Sequence, residues 1–251
     1  MQMTGNTILI TGGGSGIGRG LAEAFHALGN RVVIAGRRQQ ALDEVTAANA
    51  GMEALTLDIE DAAAIRSFAD QVTKQYPSLN VVINNAGIMR PENLTALPPD
   101  LSDSEAIIRT NLLGPIRLIS ALLRLLRKQP HATVMMVSSG LAFVPMAPTA
   151  TYCATKAAIH SYTQSLRQQL KDTNTEVLEL IPPYVGTELM PGGTTNPHAM
   201  PLDQFIAEVM DILKREPHAS EICVERVKPL RFAEATGKHA EMFQMLNRLL
   251  E

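Results

Sequence analysis

Short apolar runs alternate with longer amphipathic segments along most of the 251 residues. Seven of the short runs are predicted to be β-strands, and several are apolar at consecutive positions rather than at alternate ones. Such strands are covered by other elements on both faces, as in a parallel sheet. The predicted strands are Thr7–Ile10, Arg31–Ala35, Glu53–Leu57, Val81–Ile83, Thr133–Val137, Glu176–Ile181 and Glu221–Val224.

The segments between the strands carry helical patterns. One helix follows the first strand and is expected to stop at Gly29-Asn30. A long helix is expected from about Ser104 to Lys128, bent at Gly114-Pro115, and another from about Thr151 to Asp172. Because strands and helices alternate, the sequence predicts an α/β fold. It is a single-domain, Rossmann-like doubly wound parallel sheet of about seven strands with helices on both faces.

Two stretches interrupt this rhythm. Arg90–Asp103 contains prolines and is predicted to be a loop, and Tyr184–Pro201 is rich in Pro and Gly. A long loop after a strand is more often functional than accidental in such a fold. A substrate lid is therefore expected near 184–214, within one domain of residues 1–251. A helical tail is expected from Pro229 to Glu251, with four apolar residues that could dock on a partner or on the lid: Phe243, Leu246, Leu249 and Leu250.

Composition narrows the classes of function. The net charge is −3 and no basic run is present, which argues against nucleic acid or a membrane as partner. Cys153 and Cys223 show neither a disulfide framework nor metal-ligand spacing, and no clustered carboxylates or histidines indicate a metal. The apolar stretches are interrupted before membrane-spanning length, and no signal-peptide pattern opens the chain. These features predict a cytoplasmic protein without a metal site.

The first strand ends in a glycine-rich loop that leads into a helix. Glycine lets the backbone approach a pyrophosphate without a Cβ clash, and the helix N-terminus offers free N–H groups and a partial positive charge. A turn that binds nothing is the alternative, but the strand before it and the helix after it favour nucleotide binding. The predicted contacts are Gly12, Ser15, Gly16, Ile17 and Gly18.

The second strand ends in Gly36-Arg37-Arg38, with no acidic residue. A carboxylate at this place accepts hydrogen bonds from the ribose 2′-OH of NAD and repels the 2′-phosphate of NADP, whereas arginine attracts that phosphate. The sequence therefore favours NADP(H), with Arg37 preferred over Arg38 as the contact. The alternative is that both arginines are solvated at the start of a helix.

A tyrosine and a lysine four residues apart, Tyr152 and Lys156, lie near the start of a predicted helix. Residues i and i+4 share one helix face, so both can reach one site. Ser139 follows the fifth strand, whose end faces the ligand crevice of an open α/β sheet. Tyrosine has an ordinary pKa of about 10, and a nearby ammonium and an oxidised nicotinamide would stabilise its phenolate. Tyr152 is therefore predicted to exchange a proton with a substrate oxygen held by Ser139.

Each of these features also occurs by chance, but their joint order resembles the short-chain dehydrogenase/reductase family from about Thr7 to Thr187. Thr11-Gly12 with Gly16 and Gly18 fits the family's TGxxxGxG pattern, and Asn84–Gly87 fits its NNAG run. The four residues that match the family's catalytic tetrad are Asn111, Ser139, Tyr152 and Lys156.

A narrower resemblance is to the DltE-like subgroup, on Ser139–Phe143, Tyr152–Lys156 and Pro182-Pro183. Many family members have Pro-Gly where this chain has Pro182-Pro183, and proline fixes φ and removes an N–H. The departure puts the backbone path beside the nicotinamide in question, and with it the role of Thr187.

The resemblance implies roles for individual residues. Lys156 is implied to bind the nicotinamide ribose, and Asn111 to hold a kinked helix and a water that relays protons to Lys156. Further cofactor contacts are implied for Asp58, Ile59, Asn85, Ala86, Gly87 and Thr187. The helices around Asn111–Arg127 and Tyr152–Leu170 are implied to pair across a two-fold axis in a homodimer or homotetramer.

The function expected from these observations is NADPH-dependent hydride transfer to or from a small carbonyl or alcohol substrate. Apolar residues after Ser139, Leu141 to Met146, indicate a partly apolar substrate. The alternative is a non-enzymatic NADP(H)-binding sensor or scaffold that kept the fold. An isomerase or epimerase on an extended version of the fold is a third interpretation, but it usually needs a larger substrate domain.

Overall fold

Seven strands form one sheet in the computed structural model, which describes residues 1–98, 100–190 and 192–248. The strand order is β3-β2-β1-β4-β5-β6-β7, and every pair is parallel. Each predicted strand is confirmed to within one residue at its ends. The strands are β1 Thr7–Thr11, β2 Arg31–Gly36, β3 Glu53–Thr56, β4 Val81–Asn84, β5 Ala132–Val137, β6 Thr175–Ile181 and β7 Glu221–Cys223.

Helices connect the strands and cover both faces of the sheet. Those after β1 and β5 lie where the sequence predicted them. The helices are α1 Gly16–Ala27, α2 Gln39–Ala48, α3 Ala62–Gln75, α4 Ser102–Ile108, α5 Gly114–Leu126, α6 Ala150–Leu170, α7 Leu202–Arg215, α8 Lys228–Arg231 and α9 His239–Arg248.

The strands are apolar at consecutive positions because their residues alternate between two hydrophobic clusters. In β1, Ile8 and Ile10 join one cluster and Leu9 joins the other, and all three are fully buried. The first cluster lies under α1 and α7, and the second under α3, α5 and α6. Burial on both faces of a parallel sheet explains why no polar face is visible in the strand sequences.

The order of the strands reverses at β1, which lies between β2 and β4. Connections after β1 and β4 therefore leave in opposite directions and open a crevice at the carboxyl ends of the strands. The glycine loop follows β1 and the Asn84–Gly87 run follows β4, so the topology brings these two motifs together at the crevice.

The long helix predicted from Ser104 to Lys128 is interrupted earlier than its expected bend. A π-helical turn, Arg109–Leu113, separates α4 from α5. Gly114 begins α5, where a Cβ would come within 2.6 Å of the Ile59 carbonyl oxygen. Pro115 stands in the first turn of α5, where its missing N–H costs no helical hydrogen bond. The irregularity in this helix therefore lies in the π turn just before Gly114-Pro115.

The stretch Ser102–Leu126 is long and apolar enough to cross a membrane by length and composition, with a mean hydropathy of 1.4. This differs from the expectation that the apolar stretches are interrupted before membrane-spanning length. In its most apolar window 44% is buried in the fold, and Leu118 and Leu122 pack with Phe68 of α3. A helix that covers a sheet in this way meets the same criteria of length and composition as a membrane span.

The last part of the chain forms two helices rather than the continuous one expected from Pro229. A turn region separates α8 from α9. Asn247 of α9 accepts from the Ala147 backbone N–H at 2.7 Å and donates to the Pro145 carbonyl at 3.3 Å. The tail therefore docks through Asn247 on the segment that follows Ser139. Leu249 and Leu250 of the predicted tail lie outside the described residues.

Candidate active site

The loop after β1 leaves the start of α1 without protein partners. Ser15 precedes α1, but its side chain does not cap the helix and its hydroxyl instead accepts from Arg38 Nη2 at 3.2 Å. Within the described residues, the backbone N–H groups of Gly16, Ile17 and Gly18 make no hydrogen bond to the protein. Unpaired donors at the positive end of a helix dipole fit an anion such as a phosphate.

Close contact between the glycine loop and the segment after β4 explains two of the glycines. Gly12 has φ +68°, and a Cβ on Gly18 would collide with the Gly12 carbonyl and with Asn85 Nδ2. Asn85 Nδ2 donates to the Thr11 carbonyl at 3.0 Å, and the Asn85 and Ala86 backbone N–H groups donate to Thr11 Oγ1 at 3.1 Å each. The two motifs predicted to contact the cofactor therefore form one unit.

The two arginines after β2 have different partners. Arg37 pairs with Glu60 at 2.9 Å and is about half exposed. Arg38 reaches the glycine loop through its hydrogen bond to Ser15. The sequence preferred Arg37 as the contact to a 2′-phosphate, whereas the contact to Ser15 is an argument for Arg38.

Asp58 and Ile59 follow β3 at the same edge of the sheet. Asp58 is exposed, and its Oδ1 accepts from the Glu60 N–H at 3.0 Å. Ile59 is buried against Gly114, as the glycine contact described above shows. Asp58 is therefore open to a ligand, and Ile59 supplies an apolar surface beside it.

Asn111 lies in the π turn and connects the segment after β4 to α6. Its Oδ1 accepts from the Ile88 N–H at 2.9 Å, and its Nδ2 donates to the Ile88 carbonyl at 2.8 Å and to Thr155 Oγ1 at 3.4 Å. Gly87 lies against it, because a Cβ there would be 3.3 Å from Asn111 Oδ1. The irregular helix that the resemblance implied is thus observed at this residue.

Tyr152, Lys156 and Ser139 meet at the carboxyl end of β5, and all three are buried. Lys156 Nζ donates to the Val137 carbonyl at 2.8 Å and lies 5.6 Å from the centre of the Tyr152 ring. Burial raises the pKa of Tyr152 to about 12, while hydrogen bonding with Ser139 acts in the opposite direction. Burial lowers the pKa of Lys156 to about 8. Ser139 Oγ accepts from the Leu141 N–H at 3.1 Å, which leaves its proton to be donated.

Thr187 lies beside the glycine loop, since a Cβ on Gly16 would be 3.3 Å from its side chain. Its Oγ1 accepts from the Leu189 N–H at 3.4 Å. Upstream, the Pro182 carbonyl accepts from the Gly140 N–H at 2.9 Å, so the double proline runs next to the serine segment. The structure therefore places Thr187 at the crevice although Pro182-Pro183 precede it in the chain.

Comparison with known proteins agrees with this geometry. Residues 6–196 match the model of the short chain dehydrogenase family. The chain belongs to this family. It is 36% identical over 251 residues to an uncharacterized oxidoreductase of Bacillus subtilis, DltE, with 98% of both chains covered. The family prediction and its DltE-like refinement are confirmed, and with them the expectation of an oxidoreductase.

Solved structures confirm the Rossmann-like fold of this dehydrogenase. A short chain dehydrogenase from Burkholderia cenocepacia in complex with NADP has a TM-score of 0.84 at 23% identity, with 98% of this chain and 100% of that chain covered. A short chain dehydrogenase/reductase from Burkholderia phymatum in complex with NAD has a TM-score of 0.80 at 19% identity, with 98% and 96% covered. At these identities the likeness shows the fold, and the two proteins hold different nicotinamide cofactors.

The segment predicted as a lid divides into two parts in the dehydrogenase. Its second half, α7, buries Phe205 and Val209 in the core under α1, and Met200 joins the same cluster. The first half forms a parallel bridge between Val185 and Met200 and a short 3₁₀ turn at Gly193–Thr195. Met200 therefore contributes to the core rather than to a free lid.

Sequence reasoning missed Glu92, which anchors the start of α6. Its carboxylate accepts from Ser104 Oγ at 2.5 Å and from the Thr151 N–H and Oγ1 at 2.7 Å each. Burial opposes ionisation, but these hydrogen bonds hold the pKa of Glu92 below its usual value. Thr151, which Glu92 holds, directly precedes Tyr152 on α6. Nothing in the local sequence of Glu92 indicated this contact.

A second missed group surrounds β6 and β7. Ligand atoms of His160, Glu179 and Glu221 lie within 4.8 Å of one another, an arrangement that can hold a metal ion. Arg231, however, donates to both carboxylate oxygens of Glu221 at 2.7 and 2.9 Å, and Glu179 accepts two hydrogen bonds from Ser138 and His160. Internal partners already satisfy these carboxylates. Glu179, an acidic residue between apolar neighbours in β6, was the available signal in the sequence.

Proposed function

We propose that this short-chain dehydrogenase is an NADPH-dependent oxidoreductase that moves a hydride between the nicotinamide and a carbonyl or alcohol substrate. The observation that carries the proposal is the meeting of Tyr152, Lys156 and Ser139 at the carboxyl end of β5. They lie on the sheet edge where the N-terminus of α1 offers unpaired N–H groups. A proton donor and an anion site at one edge are what such a reaction requires.

The cofactor site is assigned to residues of the glycine loop and its neighbours. Arg37 and Arg38 supply positive charge at the end of β2, and this strand end carries no acidic residue of its own. The carboxylate nearest to Arg37 in the structure is that of Glu60, with which it pairs. The NADP-bound relative structure supports this choice, although a second relative binds NAD. When bound, the nicotinamide supplies or accepts the hydride. The assigned residues are Gly12, Ser15, Gly16, Ile17, Gly18, Arg37, Arg38, Asp58, Ile59, Asn85, Ala86, Gly87, Tyr152, Lys156 and Thr187.

Tyr152 is assigned as the general acid and base. In reduction its hydroxyl donates the proton to the substrate oxygen, and in oxidation the phenolate accepts it. A phenolate is scarce when the pKa is about 12, so the Lys156 ammonium is required to stabilise it. Ser139 donates a hydrogen bond to the substrate oxygen, and Asn111 holds the segment after β4 against α6.

The substrate is proposed to be a small, partly apolar molecule. Tyr152 belongs to a small apolar cluster with Ile107 and Cys153, against which Ile88, Met89, Leu141 and Met146 pack. Of these, Met89 and Met146 have flexible side chains that adapt to irregular shapes. The surface beside the reactive hydroxyl is therefore apolar, and the oxygen of the substrate is its polar anchor.

We further propose that the chain is one domain with a lid in residues 184–199, and that it forms a homodimer or homotetramer through α5 and α6. Half-exposed apolar side chains on these helices include Ile116, Leu123 and Tyr162. An isologous interface would cover them. Mass measurement by light scattering tests this: a monomer at micromolar concentration contradicts it.

The test of the function is NADPH oxidation with a panel of aldehydes, ketones, quinones and α-dicarbonyls. Turnover by the native protein should fall about 10²- to 10⁴-fold in Tyr152→Phe, which keeps the ring and removes the exchangeable proton. NADPH affinity should stay near that of the native protein, and NADH serves as the control for cofactor choice. Retained turnover in Tyr152→Phe removes this residue from the chemistry. Tight NADPH binding without turnover favours the alternative function, a non-enzymatic NADP(H)-binding sensor or scaffold.

A further inference from the structure

A carboxylate is fully buried in the middle of β6, next to the strand that carries Ser139. Glu179 is 0% exposed. In the sheet register it lies opposite Met136 of β5 and opposite Glu221 of β7. An ionised carboxylate is costly to bury unless hydrogen bonds and nearby positive charge compensate it. Its partners therefore indicate why it is there.

Both carboxylate oxygens of Glu179 accept hydrogen bonds. Oε1 accepts from Ser138 Oγ at 2.5 Å, and Oε2 accepts from His160 Nδ1 at 2.8 Å. Gln164 Nε2 lies 3.1 Å from His160 Nε2. Since an amide nitrogen can only donate, His160 Nε2 accepts and the ring proton is on Nδ1. His160 Nδ1 therefore donates to Glu179, and both oxygens of this buried carboxylate are used as acceptors.

These two hydrogen bonds end on the two elements that present the catalytic groups. Ser138 directly precedes Ser139, and the carbonyl of Val137 before it accepts from Lys156 Nζ at 2.8 Å. His160 stands one turn after Lys156 on α6. Glu179 thus connects the end of β5 to the helix face that carries Lys156.

The charges that face Lys156 come from few groups of the described chain. On α6 itself the Tyr152 ring lies 5.6 Å away, and from β6 Glu179 raises the pKa of Lys156 against the larger effect of burial, which lowers it to about 8. His160, one turn after Lys156 on α6, has its Nδ1 on Glu179. From β7, Glu221 is paired with Arg231 and adds little net charge. Of these two carboxylates, Glu179 is the one that is not paired with an arginine.

We propose that Glu179 is a positioning residue for Lys156 and Ser139, acting through His160 and Ser138. Its buried carboxylate is also a counter-charge on the strand next to the one whose end holds Lys156. The proposal rests on the proposed function, because the charge of Lys156 affects turnover only if Tyr152 exchanges a proton. Glu179 touches neither substrate nor cofactor in this role. It holds the strand end and the helix face in register and supplies the counter-charge.

The first test measures the charge of Lys156 without turnover. The protein is labelled with lysine carrying ¹³C at the ε carbon, and the Lys156 signal is assigned by its loss in Lys156→Arg. In Glu179→Gln the titration midpoint of Lys156 should fall by roughly one pH unit, as for loss of a nearby opposite charge. Glu221→Gln is the matched control on the neighbouring strand, and it should leave the midpoint unchanged. An unmoved midpoint in Glu179→Gln, or equal shifts in both variants, overturns the proposal.

The second test connects that charge to catalysis. The basic limb of the kcat/KM profile should move to lower pH in Glu179→Gln by the same amount as the midpoint, because less ammonium remains at a given pH. Glu179→Asp keeps the charge and should restore the limb. A midpoint that moves while the limb stays overturns the role in turnover. A midpoint that moves in a protein that reduces no carbonyl supports the charge coupling and removes the proposed function.

A separate variant tests the positioning role of Glu179, and it remains a test if Glu179→Gln does not fold. Ser138→Ala removes the contact between Glu179 and the strand end while both charges remain. It should lower kcat about fivefold to tenfold at unchanged NADPH affinity. This is less than the full loss of a hydrogen bond to a charged group, because Ser138 does not touch the reacting atoms. An unchanged kcat contradicts positioning through Ser138.

Discussion

One side of the crevice is built mainly from backbone groups, and the other side from buried side chains. On the side of the glycine loop, the site consists of backbone N–H groups, missing Cβ atoms and exposed arginines. On the side of β5 and α6, it consists of buried side chains whose pKa values are shifted, Tyr152 and Lys156. Binding an anion requires room and unpaired donors, whereas proton transfer requires burial that changes the pKa of a side chain. Substitutions on the two sides should therefore fail in different ways.

Among the substitutions that compare the two sides, the largest effect is expected from Lys156→Met, on the catalytic side. Without the ammonium the phenolate of Tyr152 loses its counter-charge, so kcat should fall about 10²- to 10³-fold. NADPH should still bind through the glycine loop, which a fluorescence titration measures. In Lys156→Arg, which keeps the charge, kcat should fall less. An equal loss of binding and turnover in Lys156→Met would show that the two sides are not separable.

The same substitution makes a prediction about pH and stability. Lys156 has an ordinary pKa of 10.5 and one of about 8 when folded, so between these values the unfolded chain binds more protons. The contribution of Lys156 to the free energy of unfolding therefore rises with pH in that window. From about pH 7.5 to about pH 10, native stability should gain on the order of 1 to 3 kcal/mol relative to Lys156→Met. Urea unfolding at both pH values measures the difference. A free energy of unfolding that falls relative to Lys156→Met over this pH range contradicts the burial of the Lys156 ammonium.

The next effect is expected on the cofactor side, from Gly18→Ala. The added Cβ would collide with the Gly12 carbonyl and Asn85, so the dissociation constant of NADPH should rise roughly a hundredfold, or about 2.7 kcal/mol. Gly36→Ala is the matched control, because a Cβ there meets nothing closer than 3.7 Å. If Gly18→Ala folds and binds NADPH as the native protein does, the close contact of Gly18 with Gly12 and Asn85 is not needed for cofactor binding.

A smaller effect should distinguish the two arginines. Loss of a charge-assisted hydrogen bond to a 2′-phosphate costs about 1.5 to 3 kcal/mol, which is roughly a tenfold to hundredfold weaker affinity. Arg38→Ala should show this loss for NADPH and little change for NADH, because Arg38 already contacts the glycine loop. Arg37→Ala should weaken NADPH less, since Arg37 is paired with Glu60. The reverse order would support the preference drawn from the sequence.

The smallest effect is expected from Asn247→Ala, which releases α9 from the segment after Ser139. Loss of about 1 kcal/mol of hydrogen bonding to exposed groups should raise KM for the substrate up to about fivefold. kcat and NADPH affinity should change little, because neither Tyr152 nor the glycine loop is touched. A changed NADPH affinity would indicate that the tail acts across the crevice rather than on the catalytic side alone.

Periodicity and motif order were sufficient for the sheet and for most of the site. The strands are apolar on both faces because both faces are buried, and this gave their bounds to within one residue. The glycine loop, Ser139, Tyr152 and Lys156 could be assigned because each stands at a strand end or on a helix face defined by local sequence. The π turn could not be predicted in this way, since it depends on Asn111 bonding to Ile88 in another segment.

What the sequence by itself determined is therefore the architecture, the family and the residue types of the two crevice sides, because these follow from local pattern and spacing. Only the tertiary structure decided which arginine meets the loop, how far α9 reaches, and that Glu179 lies between Ser138 and His160. These contacts join residues 19 to 102 positions apart. Their energies come from burial and partner geometry, which exist only after the sheet and its helices have packed.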